Sequence, residues 1–246
     1  DITAPTSTDK VNGDIFKGNV SENKYLTERY FAKVFTYLRN SPAFKNATKQ
    51  DIIDLVTELE SWEPPERLIQ NLPYYLAGYD LDDRPVWVAE VGKYDLRAEV
   101  ELGEENIQAC LKYLFLAVHR IVKSIYDRDT PEREIRNAVF IIDLEGFDLL
   151  QFSHTKTISL CLRLTRDYKE VTQEFMGNCV FVNVNHIGEL AAALFRPILG
   201  SLMERMQLFG TNKAKWIPHL RRMLPENVIP AWYGGSKDFK PIQIYG

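Results

Sequence analysis

The 246-residue chain has three cysteines, four histidines and no apolar run of the ~18 residues that a membrane-spanning helix needs. The cysteines, Cys110, Cys161 and Cys179, all lie inside apolar segments. An odd number without short spacing excludes a disulfide framework and a cysteine zinc site, and predicts buried free thiols in a reducing cytoplasm. The histidines, His119, His154, His186 and His219, form no i, i+4 pair, so no metal is expected. Neither sign of charge dominates: 30 Lys and Arg against 34 Asp and Glu give a net charge of -4, with no general attraction to nucleic acid.

Catalytic signatures are missing too. No Gly-x-x-x-x-Gly-Lys-Ser/Thr loop, no Gly-x-Gly-x-x-Gly turn and no Gly-x-Ser-x-Gly elbow occurs. Ser153 and His154 are adjacent without a third partner, and Ser153 reads as a helix N-cap. Asp143 and Glu145 alternate along a strand and could be drawn as an acid–base couple. Capping of backbone N–H groups and pairing with a nearby Arg or Lys is the simpler expectation. The chain reads as a binding protein that needs no cofactor rather than an enzyme.

What is present is a well-built α/β pattern. Residues 1–23 are polar, lack a signal-peptide core and read as a disordered tail. Residues 24–61 carry two apolar stripes at helical spacing, Tyr30, Phe31, Val34, Phe35 and Leu38, then Ile52, Ile53, Val56 and Leu59. They predict a small helical N-terminal subdomain ahead of a domain spanning 62–246. Within that domain Gly78 to Pro85 reads as a polar turn, 86–91, 138–143, 179–184 and 206–209 as strands, and 104–126, 154–170, 188–204 and 212–223 as helices. Strands alternating with helices predict a mostly parallel sheet flanked by helices. By period-2 alternation Ala138, Phe140 and Ile142 share one face of their strand, and Cys179, Phe181 and Asn183 one face of theirs.

Several segments recur in a familiar order: Gly78-Tyr-Asp-Leu-Asp, Arg84-Pro-Val-Trp87, Asp143-Leu-Glu-Gly146, Phe152-Ser-His154, Cys179-Val-Phe-Val-Asn183, Phe195-Arg-Pro-Ile-Leu199 and Pro230-Ala-Trp-Tyr-Gly-Gly235. Over about residues 62–246 this arrangement resembles the Sec14-like (CRAL-TRIO) lipid-binding family, most of all its animal Sec14-like, tocopherol-binding and retinaldehyde-binding branches. The resemblance implies a sheet whose one face floors a large apolar cavity closed by a gate helix around Pro197 to Arg205. It turns the alternating strand faces into the cavity floor. It adds Trp87 from the first strand, Phe152 from the segment after Gly146, and Phe195, Leu199, Leu202, Met203, Met206 and Leu208 from the gate side.

Departures from the phospholipid-exchanging branch are informative. Hydroxyl side chains expected towards a headgroup are replaced by Ala138 and Phe140, a gate Thr by Leu202, and the accompanying Lys by Arg205, while Glu174 keeps its acid. A polar headgroup would go poorly paired there, at a cost of about 1–3 kcal/mol per unmet group. The expected cargo is therefore a retinoid, tocopherol, carotenoid or similar isoprenoid, moved through the cytoplasm between membranes; phosphatidylinositol or phospholipid transfer, or lipid sensing on behalf of a protein partner through a missing C-terminal extension, is the alternative. Arg196 and Arg205 are the expected membrane contacts.

Overall fold

The structure, a computed structural model, describes residues 23–246, so all but the last residue of the expected N-terminal tail lies outside the described residues. Helix α1 (Glu28–Leu38) begins where Thr27 accepts a hydrogen bond from the Tyr30 N–H, and α2 (Lys49–Ser61) where Thr48 and Asp51 cap each other reciprocally. Both predicted stripes are buried, except that Phe35 is exposed and Ile53 only half-buried. The two helices share one apolar cluster with the sheet, which joins Tyr30, Val34 and Ile52 to Trp87 and Phe140.

The remaining elements are α3 (Glu66–Asn71), β1 (Tyr74–Tyr79), β2 (Pro85–Ala89), α4 (Leu96–Glu101), α5 (Glu104–Tyr126), β3 (Ala138–Asp143), α6 (Leu149–Ser153), α7 (Thr155–Phe175), β4 (Met176–Val184), α8 (His186–Leu199), β5 (Met206–Gly210), α9 (Lys213–Met223) and β6 (Gln243–Tyr245). The six strands form one sheet in the order β5-β4-β3-β2-β1-β6. Strands β2 to β5 are parallel; β1 pairs antiparallel with both β2 and β6. The β1–β2 turn is fixed by Asp80, whose carboxylate accepts from the Asp82 and Arg84 N–H groups and pairs with the Arg84 guanidinium at 2.7 Å.

Strand alternation sorts the interior into two layers. Val139, Ile141, Val180 and Val182 face back, against Trp216 and Leu220 of α9 and against Ile229 and Tyr233. Leu76, Trp87, Ala138, Phe140 and Cys179 face front, towards α5, α7 and the N-terminal helices. Each of these back-layer side chains is at most 2% exposed.

Three expectations about elements are corrected. The helix expected over 188–204 stops at Leu199, because Pro197 removes an N–H from its last turn and Gly200 turns to φ +56°; a 3-10 turn, Gly200–Arg205, carries the chain into β5. The strand expected over 86–91 ends at Ala89, since Val91–Lys93 coils into another 3-10 turn. Helix α7 continues past 170 to Phe175 and passes into β4 without a loop.

Candidate functional site

On the front of the sheet the helices do not close down onto the strands. Two adjoining lobes remain, of about 300 and 490 Å³, sharing Val91, Tyr94, Leu96, Thr157, Cys161 and Thr165 in their linings. The smaller lobe lies between α7, α8 and β5, and the larger between α4, α5, α7 and the front of β2 and β3. Thr157, Cys161 and Thr165 stand at i, i+4 and i+8 on α7, so one ridge of short side chains runs between the lobes.

Of the residues expected to bind ligand, nine line this space. Trp87, Phe140 and Ile142 floor the larger lobe. Phe181, Phe195, Leu199, Met203, Met206 and Leu208 surround the smaller. Trp87 is held in place by its indole N–H, which donates to Ser124 Oγ at 3.1 Å.

Five do not reach it, each for a physical reason. Ala138, at the start of β3, and Cys179, in register with Phe140, face front but are covered in the same packed cluster as Val171 and Phe175 at the end of α7. Asn183 breaks the alternation of β4: a bulge and a left-handed φ of +57° send its amide to Asp143, to which it donates at 2.9 Å. Leu202 is fully buried in the core behind the 3-10 turn, leaving Met203 to face the lobe. Phe152 lies on α6, where its neighbour Gln151 reaches the lining instead.

The acidic pair is also settled. Asp143 is buried and points back, accepting from the Glu145 N–H, the Asn183 amide and the Tyr233 hydroxyl, whereas Glu145 is exposed. They share no site, and Asp143 carries no Arg or Lys partner among the described residues. Arg205, the other expected membrane contact, is half-buried, and one nitrogen of its guanidinium donates to the Gln173 and Met176 carbonyls at 2.6 and 2.8 Å, closing the C-terminal end of α7. Arg196 is exposed and has no ion pair among the described residues.

Sequence reasoning missed most of the larger lobe. The helix expected over 104–126 carried no sign that its Leu111, Leu114 and Val118 wall a void, because a helix stripe looks the same against protein or against a guest molecule. Tyr94, Leu96 and Glu99 had no signal at all.

The residues that match a known family bracket this cavity. The model of the CRAL/TRIO domain matches residues 69–235. The chain belongs to the CRAL/TRIO family. A curated relative, the SEC14 cytosolic factor of Eremothecium gossypii, is 21% identical over 198 residues, which cover 77% of this chain and 60% of the relative. The chain thus spans less than two thirds of that relative's length. Among solved structures, the crystal structure of Sfh5 aligns with a TM-score of 0.54 at 15% identity, covering 89% of this chain and 74% of that one. It supports the fold.

The polar groups in this CRAL/TRIO cavity are few and mostly engaged. Thr165 donates to the Cys161 carbonyl, Thr172 to the Tyr168 carbonyl, and the Tyr94 hydroxyl to the Pro73 carbonyl. Thr157 Oγ1 lies 2.6 Å from His154 Nδ1. Burial pushes the Cys161 thiol up, and burial with the Glu99 carboxylate nearby pushes Cys110 up to about 11, so both stay protonated and unreactive.

Proposed function

We propose that the protein takes one lipophilic molecule of low polarity into this cavity and carries it between membranes. The observation that carries the reading is the unfilled front of the sheet, lined by Phe140, Ile142, Phe181, Phe195 and Met206. Ligand pockets commonly measure about 300–1,000 Å³, the range in which the two lobes fall. Burying roughly 400 Å² of apolar ligand surface is favourable by about 10 kcal/mol against water and by almost nothing against a bilayer. Cargo would be held tightly in transit and exchanged freely at a membrane.

Helix α8 supports a gate over the smaller lobe. Phe195 and Leu199 look inward, while Leu190 and Leu194 are exposed beside Leu149 and Leu150 of α6. A helix apolar on both sides suits a lid that exchanges water for lipid. Pro197 and Gly200 supply a break at which it can swing.

The positions expected to meet a phospholipid headgroup are apolar or already bonded within the protein. Leu202 is buried, Arg205 closes α7, and Glu174 pairs with Arg136 at 3.2 Å and accepts from Asn40 at 2.9 Å. This favours a retinoid, tocopherol or related isoprenoid over phosphatidylinositol. Transfer of retinol and of fluorescent phosphatidylinositol from donor to acceptor vesicles tests it. Acceleration of retinol transfer alone is expected; acceleration of phosphatidylinositol alone would favour phospholipid exchange, and acceleration of neither rejects the carrier.

A further inference from the structure

Helix α9, which covers the back of the sheet, carries Lys213, Lys215, Arg221 and Arg222 and no acidic residue. Its Trp216 and Leu220 are fully buried against the back layer. With about 3.6 residues per turn, Lys215, Arg221 and Arg222 then project from the far side, and all three are exposed. None forms an ion pair among the described residues, and Arg221 Nε donates to the Gly234 carbonyl at 2.7 Å.

That bond joins α9 to a second exposed strip. Trp232 is 53% exposed and lies edge-on to Phe239, with ring centroids 5.9 Å apart. Phe239 packs on the back layer, and Lys237 and Lys240, both exposed, flank it in the chain. Five exposed cations and one exposed indole thus share a surface on the side of the sheet away from the cavity. Residues 211–246 hold six Lys and Arg against two acids, Glu226 and Asp238, in a chain whose net charge is -4. The patch is opposite in sign to the molecule that bears it.

We propose that this back face is a docking surface for an anionic membrane, separate from the α8 gate. Three of its five cations are lysines, hydrated point charges that suit a diffuse surface potential better than the paired geometry of a protein carboxylate. An indole at headgroup level keeps its ring in lipid and its N–H in the polar layer. Helix α8 covers the front of the sheet and α9 the back, so a membrane held at α9 leaves the gate leucines uncovered. The proposal is independent of what the cavity holds.

Co-sedimentation with phosphatidylcholine vesicles, with and without phosphatidylserine, tests it. The wild-type protein is expected to bind the phosphatidylserine vesicles at least about tenfold more tightly, less so as salt rises. Each basic residue near such a surface strengthens binding roughly fivefold, so Lys215→Glu with Arg222→Glu should weaken it at least about twentyfold. Trp232→Ser should weaken it several-fold. Arg39→Glu with Lys45→Glu makes the same charge change at exposed, unpaired positions on the N-terminal helical region, and should leave binding within about threefold. Leu190→Ser with Leu194→Ser should keep the phosphatidylserine preference. Every substituted side chain is exposed, and thermal melts confirm folding. Equal binding to both vesicle types, an equal loss in the two charge-reversed variants, or loss of the preference in the gate variant overturns the proposal. So does saturable binding of a poly-glutamate peptide without any phosphatidylserine preference, which would assign the face to an acidic protein.

Discussion

The Tyr233 hydroxyl donates to Asp143 Oδ2 at 2.7 Å, 90 residues apart in sequence and both buried. It ties the Pro230–Gly235 segment to the carboxyl end of the central strand, on the face away from the cavity. Burial and the neighbouring carboxylate both push the Tyr233 hydroxyl's pKa up, so it remains a donor at any physiological pH. The segment has no slack: a Cβ on Gly235 would sit 1.8 Å from the Ile229 carbonyl, and Gly234 turns to φ +85°. Tyr233→Phe should lower stability by about 1–3 kcal/mol, the cost of a buried carboxylate losing a hydrogen bond. Denaturant unfolding checks the loss, and bound ligand per folded molecule should stay unchanged because no cavity wall is touched.

The exposed leucines of α8 give a test of the gate that avoids the core. Leu190→Ser with Leu194→Ser should leave the melting temperature nearly as it was and slow vesicle-to-vesicle transfer several-fold. Leu202→Asp is no substitute, since a charge at that buried position would unfold the chain by the cost of desolvating it. Transfer at the wild-type rate in the folded double variant would reject the gate.

Cys161 sits on the ridge where the two lobes meet. Cys161→Phe should occupy the void with protein, reduce ligand bound per molecule to a small fraction, and leave the empty protein as stable or more stable, since filling a cavity restores lost contacts. Calorimetry of ligand-stripped protein and extraction after reloading measure the two effects separately.

Buried groups between the N-terminal helices and α5 predict a pH response. The Tyr30 hydroxyl lies 3.1 Å from His119 Nδ1, and His119 Nε2 lies 2.8 Å from Glu60 Oε1, which Lys123 also reaches at 2.6 Å. Burial lowers the His119 pKa, only partly offset by Glu60. Burial opposes ionisation of Glu60, but hydrogen bonds from His119, Lys123 and Asn23 hold it down at about 2. A group with a lowered folded pKa contributes stability that is present above its unfolded value and lost as pH falls. Stability should thus decline first below about pH 6.5 as His119 charges, then below about 4.5 towards 2 as Glu60 protonates. His119→Gln should flatten the first phase and keep the second; an unaltered profile between pH 6.5 and 5 would exclude His119 as its source.

The parallel strands were legible because strands that alternate with helices along the chain have few other readings. Helix α5 was legible to the residue, since 23 positions of one period average out local ambiguity. Short elements were not: β6, three residues pairing only with β1, has no period to detect. At the site, alternation put Phe140, Ile142 and Phe181 on the faces that line the cavity but could not foresee the bulge that turns Asn183 away. Nor does a pattern of apolar residues distinguish a wall from a filling. Leu202 and Met203 are neighbours with similar chemistry, and only the 3-10 turn that follows Gly200 decides which one meets the void.

The central claim is that the front of the sheet encloses room for a guest. Native mass spectrometry after equilibration with vesicles of natural lipid extract tests it most directly. The account predicts a one-to-one complex with a single neutral lipophile that organic extraction releases; a spectrum showing only the bare chain, with no lipophile recovered from the extract, would contradict it.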